Sequence, residues 1–308
     1  MLPEERLRVA LFCLTVAAVY VAAAATLVSW RKKRSLKARG KAVLAAAGAG
    51  VLCMLWGFLV EPYWLERTSV EVHSRKLERR CRIAQLSDLH CDATARLEPE
   101  LPAAISAERP DAIVFTGDAA NSREGIPVLR KLLSELARIA PFYAVRGNWD
   151  VGGGGESWSD PAEIEARRTM FEGTGVRELD GDAVRVRPDL WIAGVSDAHH
   201  DRVEPALALV PPAAFSVFLC HRPDLIEAAA RGHADLYLAG HTHGGQVALP
   251  FYGALVTFSH YGKRFEHGLY QVGETLLYVN RGIGMDGAGA PRVRFCARPE
   301  LTIIDLGP

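Results

Sequence analysis

Two stretches without a single charged residue, Val9 to Trp30 and Ala42 to Val60, restrict this chain more than any other feature of its sequence. They hold 22 and 19 residues. At 1.5 Å of rise per residue a helix of either length crosses roughly 30 Å, the thickness of bilayer hydrocarbon. Ala, Gly and Leu are spread all round both stretches with no polar face, which suits lipid better than the half-wet surface of a soluble core helix. The first exceeds the apolar run of a secretory signal, about 7 to 15 residues, and Pro3, Glu4, Glu5 and Arg6 precede it instead of a basic run. Both are therefore expected to span a membrane. Arg31 to Lys41 between them carries seven cations in eleven residues, which the positive-inside rule places in the cytoplasm. Residues 67–308 are then expected on the extracytoplasmic face. Arg75, Lys76, Arg79, Arg80 and Arg82 dilute the asymmetry, so the cytoplasmic face stays as the alternative. Trp30, Trp56, Tyr63 and Trp64 are placed to sit at the interfaces.

The sequence divides accordingly, into a membrane hairpin over 1–66 and a soluble domain over 67–308. Lys plus Arg and Asp plus Glu number 36 each in the whole chain, which argues against a basic nucleic-acid-binding domain. The first 70 residues hold 10 cations against 4 acids, leaving 26 against 32 for the rest. Two Ala-rich helices with no internal charge offer no ion path, which excludes a channel or transporter. Of the six cysteines, Cys13 and Cys53 lie in the apolar stretches, and Cys81, Cys91, Cys220 and Cys296 are scattered without CxxC spacing. Three of those four flank or enter strand-like runs and read as buried thiols rather than zinc ligands or disulfides.

Short apolar runs recur over Arg82 to Leu86, Ala112 to Phe115, Phe142 to Val145, Leu190 to Val195, Phe215 to Leu219 and Leu236 to Ala239, and read as buried strands. Helical spacing separates them at Ile126 to Ile139, Pro161 to Phe171 with Asp160 as N-cap, and Pro223 to Ala230. Further strands are expected at Gly268 to Val272, Thr275 to Val279, Arg292 to Cys296 and Leu301 to Leu306, giving an α/β domain with a largely β C-terminal third.

Almost every run delivers a polar residue just past its last apolar one, where α/β sheets gather their ligands. Asp88 and His90 follow the first run, Asp118 the second, Asn148 and Asp150 the third, His221 a later one, and His241 and His243 the next. Any one of these arises easily by chance; five in series do not. Imidazoles mixed with carboxylate and amide oxygens suit manganese, iron or zinc, whereas calcium takes oxygen alone. The ligand count implies two ions, with Asp118 best placed to bridge them and a bound water made acidic enough to attack phosphorus.

Over Ile83 to Leu306 the sequence resembles the calcineurin-like metallophosphoesterases, whose blocks run D-x-H, G-D-x-x-D, G-N-H-D/E, H and G-H-x-H. GHTHGGQ, YVNRGIG and CARPELTII are similar to the membrane-associated branch with UDP-2,3-diacylglucosamine pyrophosphatase-like proteins. The resemblance implies a four-layer α/β/β/α sandwich after the two transmembrane helices, with two divalent transition-metal ions. It implies Asp88, His90, Asp118 and His243 at one ion and Asp118, Asn148, His221 and His241 at the other. Asp118, Asn148, His221 and Asp150 are the expected catalytic set, with Asp150 orienting a ligand. Two positions depart from the pattern. Asn121 replaces the last Asp of G-D-x-x-D, a supporting position. Trp149 replaces the His that assists the leaving group, and indole has no proton to give at neutral pH. Either the leaving group is already a stable anion, as in a pyrophosphate, or another residue, with His199 and His200 as candidates, supplies the proton. Arg146 and Arg281 are candidate phosphate contacts. Leu249, Phe251, Tyr252, Leu255, Val256 and Phe258 read either as core strand, which is favoured, or as an apolar lip near the bilayer.

The expected function is hydrolysis of a phosphoester or pyrophosphate bond on a lipid-linked or nucleotide-sugar-lipid substrate, at the bilayer and without nucleic acid. A silent metal-binding scaffold and a cell-envelope phosphodiesterase are the alternatives.

Overall fold

The computed structural model describes residues 1–152, 160–287 and 292–308. Its first elements are the helices α1 (Pro3–Lys33) and α2 (Ala38–Leu59). Both are long and apolar enough to cross a membrane, and most of their side chains are exposed. That exposure removes the alternative of a soluble core, in which the same side chains would be covered. The helices approach closely where a side chain is missing: Gly50 lies against the Tyr20 hydroxyl, which bonds to the Ala47 carbonyl at 3.3 Å.

After the hairpin come β1 (Glu66–His73), β2 (Cys81–Leu86), α3 (Leu101–Glu108), β3 (Ala112–Phe115), α4 (Ile126–Leu136), β4 (Phe142–Ala144), α5 (Asn148–Val151), α6 (Pro161–Arg168) and β5 (Arg177–Glu178). The second half runs β6 (Asp182–Arg187), β7 (Leu190–Gly194), α7 (Val203–Leu207), β8 (Phe215–Leu219), α8 (Ile226–Arg231) and β9 (Leu236–Ala239). It ends with β10 (Ala248–Leu249), β11 (Gly253–Ala254), β12 (Gly268–Val272), β13 (Thr275–Val279) and β14 (Glu300–Gly307). One six-stranded sheet has the order β1-β14-β2-β3-β4-β5, and the other β12-β13-β9-β8-β7-β6.

Between the sheets, Ile83, Val114, Leu190, Val217, Leu236 and Ile304 form one buried cluster. On the far side of the first sheet, Leu101, Ile105, Leu129, Leu133 and Phe115 join it to α3 and α4. Val203, Leu207, Ile226 and Phe218 join the second sheet to α7 and α8. The result is an α/β/β/α sandwich. Because β2, β3 and β4 are mutually parallel, as are β7, β8 and β9, the carboxyl ends within each sheet open along one edge.

The apolar runs of the sequence correspond to central strands: Ala112–Phe115, Phe215–Leu219 and Leu236–Ala239 have the expected bounds. Asp160 caps α6 as expected, accepting from Ala162 N at 2.9 Å. Arg292 to Cys296 is not a strand. It is irregular, with one isolated bridge between Val247 and Phe295, because its backbone N–H groups are divided between the α2 carbonyl of Gly57 and that of Gln246. Cys81, Cys91 and Cys220 are buried free thiols, in keeping with the sequence reading.

Two acids fix the hairpin to the sandwich. Glu5, fully buried, accepts from Thr257 N at 2.8 Å and Thr257 Oγ1 at 3.1 Å. Glu61 accepts from Ala297 N at 2.6 Å and from Trp56 Nε1 at 3.0 Å. Between them Arg294 N donates to the Gly57 carbonyl at 3.0 Å.

Candidate metal centre

Six loops meet at the open edge of the sandwich, and their backbones are bent sharply to bring polar side chains inward. Asp88, His90, Asp118, His241 and His243 are five of the twelve non-glycine residues with positive φ among those described. That conformation costs an L-residue roughly 1–2 kcal/mol, so its concentration here marks a site held together by its surroundings. Glycines make the crowding possible: a Cβ on Gly240 would collide with Ser87 and Asp88, and one on Gly282, at φ 72°, with Asp88.

Lone pairs converge. His221 Nδ1 donates to the Thr116 carbonyl at 2.8 Å, which turns Nε2 toward the cluster. That Nε2 lies 3.1 Å from Asp118 Oδ2, 3.9 Å from Asp88 Oδ1 and 3.2 Å from His241 Nδ1. His90 Nδ1 donates to Asn121 Oδ1 at 2.9 Å while Asn121 Nδ2 donates to the His90 carbonyl, which leaves His90 Nε2 as an acceptor. It faces His243 Nε2 at 3.2 Å and Asp118 Oδ2 at 3.6 Å, and His243 Nε2 is 3.3 Å from Asp88 Oδ1. Asp88, His90 and His243 thus form one group able to hold an ion, and Asp88, Asp118 and His221 a second. Asp88 is common to both, and Asp118 reaches into both as well.

Burial shapes the charge state. It drives His90, His241 and His243 well below the usual imidazole range, which leaves them in the neutral form that ligates metal. It raises the Asp88 carboxyl to about 6. At His221 burial opposes the charge, but the carboxylates of Asp118 and Asp88 prevail and push the ring up to about 10. The cluster calls for positive charge and for a lone-pair acceptor at the same place, which a divalent cation supplies. Two orphaned atoms agree: Asn148 Oδ1 and His241 Nε2 are buried with no hydrogen-bond partner among the described residues. Each such group costs about 1–3 kcal/mol unless something binds it.

Other expected site residues fall elsewhere. Asp150 does not face the cluster: it accepts from Asp118 N and Gly147 N through Oδ2 and from Ala119 N through Oδ1, bracing two loops. Through Asp118 N it positions a candidate ligand's backbone, which fits the expected orienting role. Arg146 binds Glu178 and the carbonyls of Arg167 and Arg168, and Arg281 binds Glu300 through Nε and Glu66 through Nη2. His199 pairs with Asp180 at 2.8 Å and His200 with Asp197 at 3.1 Å. Trp149 does lie at the cluster, its ring edge-on to His90 at 5.5 Å and its backbone N–H donating to Asp118 Oδ1 at 2.8 Å.

The residue that sequence reasoning missed is Arg294. Fully buried, it donates to the carbonyls of Gly284, Ala297 and Arg281 and lies 3.4 Å from His243 Nδ1. Burial lowers its guanidinium to about 9. An Arg between the apolar Val293 and Phe295 was the available signal.

A sequence profile described as calcineurin-like phosphoesterase matches residues 81–245. Among full-length relatives, the metallophosphoesterase YkuE of Bacillus subtilis is 32% identical over 295 residues, covering 89% of this chain and 98% of that one. The phosphodiesterase YaeI of Escherichia coli is 27% identical over 290 residues, with the same coverage of both chains. The UDP-2,3-diacylglucosamine pyrophosphatase LpxG of Chlamydia muridarum is 24% identical over 315 residues, covering 84% and 94%.

Proposed function

Because the chain belongs to the calcineurin-like phosphoesterase family, and is accordingly a metal-dependent phosphoester hydrolase, we propose that it cleaves a phosphoester or pyrophosphate bond of a lipid-linked substrate while anchored in the membrane. In this reading residues 1–66 are the anchor and 67–308 the catalytic domain. Asp88, His90, Asp118 and His243 hold one transition-metal ion, and Asp118, Asn148, His221 and His241 the other. When bound, such a pair neutralises phosphate charge and acidifies a water. Around it the protein's own groups set the geometry: Asn121 fixes the His90 ring, the Thr116 carbonyl fixes His221, and Asp150 holds the Asp118 loop at its distance from Gly147.

One observation carries the lipid part. The segment beside the metal cluster rests directly on the hairpin, with Arg294 touching His243 on one side and Gly57 on the other. A site built against membrane-spanning helices meets membrane-held substrates at far higher local concentration than soluble ones. The similarity to the chlamydial pyrophosphatase supports a nucleotide-sugar lipid, which is a cytoplasmic substrate. The seven-cation loop, Arg31 to Lys41, supports instead an extracytoplasmic body and a cell-envelope phosphodiester or lipid phosphate.

Incubating the purified chain and manganese with lipid extract, and following release of phosphate or nucleoside monophosphate, tests the substrate class. No release from any lipid fraction, with bis(p-nitrophenyl) phosphate cleaved, would overturn the lipid assignment. A cysteine introduced near Pro308 that an impermeant reagent labels in intact cells puts the body outside. Labelling only after lysis puts it in the cytoplasm and selects the nucleotide-sugar lipid.

A further inference from the structure

A cavity of about 600 Å³ lies where α1 and α2 meet the sandwich, lined by Phe12, Val16, Met54, Leu249, Val293 and Phe295 among others. Its size is that of a small-molecule site. Its chemistry is narrower. The lining hydroxyls are spent, Thr15 Oγ1 on the Leu11 carbonyl at 2.8 Å and the Tyr20 hydroxyl on the Ala47 carbonyl, so what enters finds hydrocarbon. Two of its walls are helices long and apolar enough to cross a membrane, so their neighbours are lipid chains. The third wall is shared with the metal cluster: Val293 and Phe295 face the cavity while Arg294, between them, reaches His243.

Resting on the hydrolase reading above, we infer that this cavity seats an acyl chain of the lipid substrate and brings its anionic headgroup to the rim of the metal cluster. Charge at the body end of the cavity is complementary to such a headgroup. Phe12, Thr15, Val16 and Val19 share one face of α1, and Arg8 stands one turn nearer the sandwich on that face. Its Nη1 is buried without a hydrogen-bond partner among the described residues. The exposed aromatic rings of Phe251, Tyr252 and Phe258 flank the same region, on the loop whose Thr257 binds Glu5. They give the tip of the loop the character of an apolar lip, while Ala254 and Leu255 of the same segment are buried as the core reading expected.

A series of p-nitrophenyl alkyl phosphodiesters, from methyl to dodecyl, tests the seat with one leaving group throughout. With full-length protein in detergent and manganese, kcat/KM rises with chain length, by up to about fourfold per methylene seated. Val16→Trp obstructs the cavity and cuts the dodecyl-to-methyl ratio of kcat/KM at least tenfold. Independently of folding in that variant, phosphatidic acid carrying a diazirine on its acyl chain labels wild-type protein at Val16 to Tyr20 and Val293 to Phe295. An unchanged ratio in a folded, metal-loaded variant, or labelling spread evenly over the outer faces of α1 and α2, overturns the seat. Failure of wild type to cleave even the methyl ester with metal bound overturns the hydrolase reading instead, and labelling still decides the seat.

Discussion

The two sheets bring different chemistry to the edge where they meet. The first, through the loops after β2, β3 and β4, supplies Asp88, Asp118 and Asn148, all oxygen donors, with His90 as its lone imidazole. The second, after β8 and β9, supplies His221, His241 and His243 and no carboxylate. Neither set alone holds an ion in the way both do, so the centre exists only in the assembled sandwich. Each half also holds the other's ligands in place: Thr116 of the first sheet orients His221, and His241 N donates to both Asp88 oxygens at 3.1 Å. Polar stitches cross the gap again at Gln85 to the Ala239 carbonyl, at 3.0 Å, and at Asn280 to Thr302 Oγ1, at 2.8 Å. Carboxylates on one side and imidazole rings on the other divide the task of binding a cation into charge and softness.

If the halves are equal partners, Asp118→Asn and His241→Ala should each lower kcat for bis(p-nitrophenyl) phosphate by more than about 10²-fold, beyond what outer residues of a metal site give. Chelation should reproduce either loss, and elemental analysis should find two transition-metal ions per wild-type chain. Activity indifferent to chelators, with no bound metal, would end the comparison.

Glu300 tests the seam away from the metals. At the start of β14 it accepts from the Tyr278 hydroxyl of β13 at 2.5 Å, from Thr68 Oγ1 at 2.6 Å and from Arg281 N at 2.9 Å. Burial alone would raise its carboxyl, yet Arg281 and these hydrogen bonds hold it below the usual glutamate range. A depressed carboxyl contributes stability above the unfolded pKa, about 4.3, and loses it as pH falls through the folded value. Glu300→Gln should therefore cost about 2–3 kcal/mol near pH 7 in urea melts and shrink the acid loss of stability below pH 4. An identical acid limb in both proteins would place the seam elsewhere.

Asn121→Ala frees the His90 ring and should weaken metal affinity about 10- to 100-fold, read by titration with a metallochromic chelator. A change of less than twofold would mean the first sheet needs no such brace. The smallest effect is expected at Trp149, edge-on to His90. General acid assistance is typically worth about 10²–10⁴. Trp149→His should raise turnover of an alkyl phosphodiester relative to an aryl one by roughly tenfold. Wild type that already cleaves both equally would show that another group supplies the proton.

The sequence was legible where burial is uniform. Ala112–Phe115, Phe215–Leu219 and Leu236–Ala239 are covered on both faces and read as unbroken apolar runs, each followed by polar residues that the fold gathers. The edge strands β1 and β6 escaped because one face is wet: ERTSVEVH and DAVRVR alternate too weakly to stand out from loops. Arg146 and Arg281 could not be judged from sequence either. Their partners Glu178, Glu66 and Glu300 are 32, 215 and 19 residues away, and only the folded pairing shows which acids they meet. Arg294 shows the reverse: a charge in an apolar setting was visible, but the three carbonyls that receive it were not.

In the first sheet β14 lies between β1 and β2, paired parallel to one and antiparallel to the other. Glu66, three residues beyond Tyr63 at the end of the hairpin, meets Glu300 across that ladder. During synthesis, then, the first strand waits for the last, and the sheet cannot close while the intervening 200-odd residues are still being made. The apolar helices α1 and α2 emerge long before that point and need no partner from the sandwich to be apolar. If α1 and α2 span a membrane as proposed, their insertion would precede closure of the sheet, and the metal-binding cluster would be completed beside a bilayer that already holds the chain.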